Sequence, residues 1–309
     1  MTKQIIRLVG KSLKVVGIIL LVIIVLIALL LVILSLKPFV PNDYTRTTET
    51  GGQIEGAYLL EGSHEVSFTE YDAEGEWEKF EIWYPSDLEQ SETKYPVVIV
   101  ANGTGVKASK YKALFKHLAS WGFIVAGNED PSTYAGTSAD ATLSLLLSEN
   151  ETADSIFYQK LDTDHIGITG HSQGGVAVFN EIKNNELSSM YICAVSLSPT
   201  QEDLAEAIGI PYNPEGISIP VFVLAGTEND VITLDGMEAV YDQLAGSKVM
   251  ARRICNNHGE ILYKGDGYVT AWFMYWLQDD KAAGQAFFGE DAELLENKLY
   301  QDAKVVYKQ

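Results

Sequence analysis

The segment Gly170-His171-Ser172-Gln173-Gly174 sets one hydroxyl between two glycines. It follows a short β-branched run, Ile166–Thr169, and opens a stretch with helical spacing from Gly174 to Lys183. A G-x-S-x-G pattern between a strand and a helix is the setting in which a sharp turn lifts a serine above a sheet as a nucleophile. Side chains at positions 170 and 174 would collide with neighbouring elements, so Gly170 and Gly174 are read as mechanical parts of that turn. The bland reading of Ser172 is a helix N-cap.

A serine alcohol is a poor nucleophile until a base takes its proton. On this kind of scaffold the chain order is serine, acid, histidine. Of the five histidines, His64, His117, His165 and His171 precede Ser172, and only His258 follows it, in the turn-rich Asn256-Asn257-His258-Gly259. The acid belongs in a loop between the two. The run PVFVLA is predicted to end its strand near Ala225, which puts Glu228 and Asp230 in the next loop. Asp230 is preferred, with Glu228 and the Glu202–Asp203 pair as rivals for the histidine Nδ1 proton. A tetrahedral oxyanion needs two donors. Gln173 offers one backbone N–H at the helix start, and Thr104, in Asn102-Gly103-Thr104-Gly105, offers the other. This chemistry calls for no metal or organic cofactor.

These residues need a scaffold that gathers loops at one edge. Tyr95–Ala101 (YPVVIVA), Phe123–Ala126, Tyr191–Leu197, Pro220–Ala225 and Lys248–Ile254 are apolar, β-branched runs of the kind buried on both faces. Helical spacing is predicted over Tyr111–Trp121, Ala139–Leu147, Thr152–Leu161, Gly236–Leu244, Gly267–Leu277 and a polar tail from Asp291. Ala57–Thr69 and Trp77–Tyr84 read as strands joined around Ala73-Glu74-Gly75. Strands alternating with helices imply an α/β fold, with a mostly parallel central sheet and helices on both faces. Ligands then bind beyond the carboxyl ends of the strands.

Ahead of this lies a run of another kind. Val15 to Leu36 holds 22 residues without a charge, about 33 Å as a helix against roughly 30 Å of bilayer hydrocarbon. Lys3, Arg7, Lys11 and Lys14 precede it with no acid, which predicts a cytoplasmic N-terminus and an exported remainder. No small-x-small site follows the run, so a retained transmembrane anchor is expected rather than a cleaved signal peptide. The organisation expected is a cytoplasmic segment 1–14, an anchor 15–36, a linker 37–53 and a catalytic domain 54–309 outside the cytoplasm. The net charge is −20, and the part beyond Lys37 keeps 17 basic residues against all 42 acidic ones, or −25. Such a surface repels phosphates, so nucleic acid is excluded as a partner. Cys193 and Cys255 form no disulfide framework and no metal pattern; both read as buried strand residues, and their pairing stays open.

The order of PVVIVANGTG, LASWGFIVAGNED, DHIGITGHSQGG, AVSLSP, AGTENDVI, NNHGE and VTAWFMYWLQDD, from about Tyr95 to Gln278, resembles the dienelactone-hydrolase-related branch of the α/β-hydrolases. That branch includes cutinase-like polyester hydrolases, chlorophyllase-like proteins and platelet-activating-factor acetylhydrolases. The resemblance implies an α/β-hydrolase fold and a carboxylic ester, small or lipid-like, as substrate. It implies triad roles for Ser172, Asp230 and His258 and oxyanion roles for Thr104 and Gln173. Where the polyester hydrolases carry an aromatic residue and a tryptophan, this chain has Thr104 and Thr200. The rival from another class is an inactive α/β-hydrolase domain used for binding at the cell surface. A dehalogenase or epoxide hydrolase would need an aspartate at the elbow, where this chain has Ser172.

Overall fold

The computed structural model describes residues 20–27, 29, 37–73 and 75–308. Residues 20–27 are helical and exposed; the rest of the expected anchor, apart from residue 29, lies outside the described residues, as does the segment 1–14. Among the described residues no helix is long and apolar enough to cross a membrane. The compact unit that carries the chemistry begins at Val40.

Nine strands form one sheet within the described residues: β1 (Val66–Asp72), β2 (Lys79–Pro85), β3 (Tyr95–Ala101), β4 (Ile124–Asn128), β5 (Leu161–His171), β6 (Tyr191–Leu197), β7 (Val221–Glu228), β8 (Lys248–Asn257) and β9 (Tyr300–Val306). Their order is β1-β2-β4-β3-β5-β6-β7-β8-β9. The six strands from β4 across to β8 are parallel, and antiparallel pairs flank them at both ends. In β3 the pleat divides an unbroken apolar run between two cores: Val98 and Val100 face one, Val97 and Ile99 the other. The first core is closed by helices α1 (Gln53–Leu59), α2 (Lys112–Ser120) and α7 (Asp266–Gln278) through Tyr58, Phe115, Trp272 and Phe273. The second is closed by α3 (Thr137–Glu151), α4 (Gln173–Asn184) and α6 (Leu234–Gln243), through Leu143, Phe179 and Val240. The short α5 (Glu202–Ala207) lies beyond the end of β6. Helices thus cover both faces, as crossovers between parallel strands require.

Five expectations need correction. Ala57–Leu59 ends a helix, and the strand begins only at Val66. The start of α1 is capped from far away: the Glu293 carboxylate accepts the Ile54 and Glu55 N–H groups at 2.7 and 2.8 Å. Thr152–Leu161 is not a helix. Asn150 folds that chain back, accepting the Gln159 N–H on its carbonyl and the Leu161 N–H on its side chain. The tail forms only a four-residue helix, Glu293–Glu296, before β9 pairs with the free edge of β8, Val305 and Val306 packing toward opposite cores. The fourth concerns 37–53, which is no free linker beyond Phe39: Val40, Tyr44 and Thr45 are buried, and the Tyr44 hydroxyl donates to Asp266 at 2.5 Å. Both cysteines are free thiols. Cys193 is a buried strand residue as expected, whereas Cys255 is exposed, with φ of 55°.

Candidate active site

Because β3 to β8 run the same way, the segments after their carboxyl ends gather along one edge, and every site residue expected from the sequence lies there. Ser172 follows β5 directly. Its φ of 61° and ψ of −119° are costly for a residue with a Cβ, on the order of 1–3 kcal/mol. The surroundings enforce this geometry. The Ser172 N–H donates to the Leu197 carbonyl at 2.9 Å, and its carbonyl accepts the Val176 N–H at 3.2 Å as α4 begins. A Cβ at Gly170 would stand 2.2 Å from the Gly174 carbonyl oxygen, and one at Gly174 would stand 2.1 Å from that of Ala101. Both glycines are therefore obligatory for backbones this close. Ser198, Asn229 and Cys255 also have positive φ, so strained residues recur around the ends of β6, β7 and β8.

The structure brings Asp230 and His258 together: Oδ1 lies 3.1 Å from Nδ1. The histidine side chain is 24% exposed and the aspartate 4%, so the imidazole faces outward with the carboxylate hidden behind it. Three further donors hold that carboxylate. The Ser198 hydroxyl and the Gly226 N–H reach Oδ2 at 2.7 and 2.8 Å, and the Val231 N–H reaches Oδ1 at 2.7 Å. Burial alone would raise the Asp230 pKa, but hydrogen bonds from His258, Ser198 and Gly226 outweigh it and hold the group below its ordinary value. The rivals are placed elsewhere. Glu228 closes β7 with an exposed side chain, Glu202 accepts from Gln243 at 2.8 Å, and Asp203 is exposed on α5.

After β3 the chain makes a tight turn in which the Val106 N–H donates to the Gly103 carbonyl at 3.0 Å. Gly105 has φ of 67°, whereas Thr104 is absent from the positive-φ residues, which makes this a type II turn with glycine where that turn demands it. Asn102 anchors the turn, its buried amide donating to the Asn128 and Asp130 carbonyls at 2.5 and 3.1 Å. The N–H groups of Thr104 and Gln173 have no acceptor among the described residues, so both remain free to receive a ligand oxygen. Gln173 stands at the first position of α4, where the helix dipole favours negative charge.

Sequence reasoning missed two neighbours. Ser198, which orients Asp230, shows only as a serine just past a strand in AVSLSP, a weak signal. His171 shows in the sequence only as an elbow histidine that precedes Ser172. Its Nε2 lies 2.7 Å from the His258 carbonyl, and the two rings stack with centroids 4.5 Å apart and a tilt of 35°.

A nine-stranded, mostly parallel sheet with an elbow serine after its central strand defines an α/β-hydrolase. A family model described as PET hydrolase-like (PETase) matches residues 57–298, and the chain belongs to that family, in the dienelactone-hydrolase and cutinase-like branch of the superfamily. Hydrolysis of esters is the chemistry this membership implies. No curated protein gives a significant match.

Proposed function

We propose that the protein is a serine esterase that cleaves carboxylic esters through an acyl-enzyme. Ser172 Oγ attacks the ester carbonyl as His258 Nε2 takes its proton, and Asp230 holds the imidazole in the tautomer with its proton on Nδ1. The Thr104 and Gln173 N–H groups receive the tetrahedral oxyanion. The imidazolium then protonates the leaving alkoxide, and the alcohol departs. Water, deprotonated by the same imidazole, attacks the acyl-enzyme and releases the acid with Ser172 restored. The observation that supports this reading is the Asp230–His258 pair, whose imidazole packs on the ring of His171, the residue immediately before the serine held at positive φ on the turn after β5.

The test uses the full chain in detergent with p-nitrophenyl esters of graded chain length. Ser172→Ala should lose essentially all turnover while melting at an unchanged temperature. A folded Ser172→Ala protein that turns over at the wild-type rate would refute the proposal.

We also propose that the uncharged run 15–36 anchors this domain to the cell membrane with the catalytic side outside the cytoplasm. The cationic flank of Lys3, Arg7, Lys11 and Lys14 supports that orientation. Protease added to intact spheroplasts should remove the domain, and its survival there would reverse the topology.

A further inference from the structure

His171 is buried between two loops that the proposed chemistry needs at a fixed separation. On one side is the turn after β3. A Cβ added to Gly103 would come within 3.6 Å of His171 Nδ1 and 3.4 Å of its carbonyl oxygen, so the turn closes directly onto this residue. On the other side is the loop of His258. There His171 makes two separate contacts with the base, one on its backbone and one on its ring.

The partner of Nε2 is a carbonyl oxygen, which can only accept, so Nε2 carries the proton and donates it at 2.7 Å. The contact spans 87 positions of sequence, as does the ring stacking, whereas the Gly259 and Glu260 N–H groups donate locally to Asn257. Among the described residues, Asp230 and His171 thus supply the long-range hydrogen bonds and ring contact to His258, one at ring Nδ1 and the other at the main chain and ring face.

We propose that His171 is a positioning residue for His258, fixing the base's backbone through its Nε2–H and the plane of its imidazole through ring contact. Resting on the assignment of His258 as the base, the inference deepens that reading by adding the residue that aims it. A neutral neighbour suits this duty, because His258 must become cationic each time it takes the serine proton. Burial and the adjacent His258 push the His171 pKa down to about 4, so it stays uncharged where esters are hydrolysed. The bland alternative is a core histidine satisfied by the nearest carbonyl. That alternative foresees effects of substitution on stability, with kcat left alone in whatever folds.

The experiment measures kcat and KM for a p-nitrophenyl ester with the full chain in detergent, alongside melting temperatures. His171→Phe keeps a ring but removes the donor. A base misplaced by a fraction of an ångström should lower its kcat roughly 30- to 100-fold with KM within about threefold. His171→Gln, whose amide can stand where Nε2 stood, should recover kcat to within about fivefold of wild type. Should the phenylalanine variant fail to fold, His171→Asn, with a donor too short to reach the carbonyl, replaces it and should show the same loss. Folded donor-less variants that keep kcat within twofold, while Ser172→Ala and His258→Ala are inactive, would overturn the positioning role and leave the triad standing. Activity persisting in Ser172→Ala and His258→Ala would instead overturn the underlying assignment.

Discussion

Replacing Asp230 by Asn removes one charge and one acceptor at a point where four donors converge. In the native site Oδ1 receives the His258 Nδ1 and Val231 N–H groups, and Oδ2 receives Ser198 Oγ and the Gly226 N–H. An amide cannot satisfy this arrangement either way round. With its NH2 at the Oδ2 position it opposes the Gly226 N–H, which cannot rotate away. With its NH2 at the Oδ1 position it opposes the Val231 N–H and donates to His258 Nδ1. The second orientation moves the histidine proton to Nε2, leaving no lone pair for the serine proton. The same tautomer error in a serine protease costs about 10⁴ in kcat, or about 5.5 kcal/mol. His258 here is partly exposed and can relax toward solvent, so a loss of about 10³ to 10⁴ is expected. The opposed N–H pair should cost a further 1–3 kcal/mol or so of stability. Steady-state hydrolysis of a p-nitrophenyl ester gives the first number, and urea unfolding gives the second. A folded Asp230→Asn protein with kcat within tenfold of wild type would refute the reasoning.

Three other perturbations follow from the same geometry. Thr104→Pro deletes the proposed oxyanion N–H at the turn position that proline favours, so it should cost about 3 kcal/mol in kcat with little change in melting temperature. Full activity there would remove Thr104 from the mechanism. Gly174→Ala forces a Cβ against the Ala101 carbonyl and should destabilise the fold by more than about 3 kcal/mol, or prevent folding; a normal melting curve would contradict the close approach. The third concerns His117, buried 2.6 Å from Asp266 with its Nε2 against the Leu60 carbonyl. Burial opposes its charge, but Asp266, the Leu60 carbonyl and Glu61 together raise its pKa. The stability this confers is fully present below the ordinary histidine value of about 6.5 and is lost as pH rises through the raised one. The melting-temperature advantage of wild type over His117→Gln should therefore be greatest below pH 6.5 and shrink above it. An advantage that grows with pH would reverse the sign.

Much of the candidate site was legible because its parts are local. The elbow glycines, the single histidine after Ser172 and the aspartate past a strand end are all visible as residue types in order. The interior strands β3 and β6 kept their expected limits, since burial on both faces leaves an uninterrupted apolar run. What stayed hidden depends on contacts that residue types in order do not show, from a local turn to partners distant in sequence. Glu293 makes a helix start at Gln53, Asn150 stops one at Glu151, and the open edge of β8 draws the polar tail into a strand. The Val40–Thr50 segment reads as a linker because its buried Tyr44 is anchored by an aspartate 222 positions away. His171 escaped notice for the same reason, as nothing local shows that it meets His258.

The most direct test of the chemistry is the site of covalent capture. The full chain in detergent is incubated with a fluorophosphonate, and the adduct is located by mass spectrometry of its peptides. One adduct per chain is expected, on Ser172, with labelling lost when His258 is replaced by alanine. An adduct on a different residue, or none at all in protein that is hydrolysing ester, would contradict the assignment.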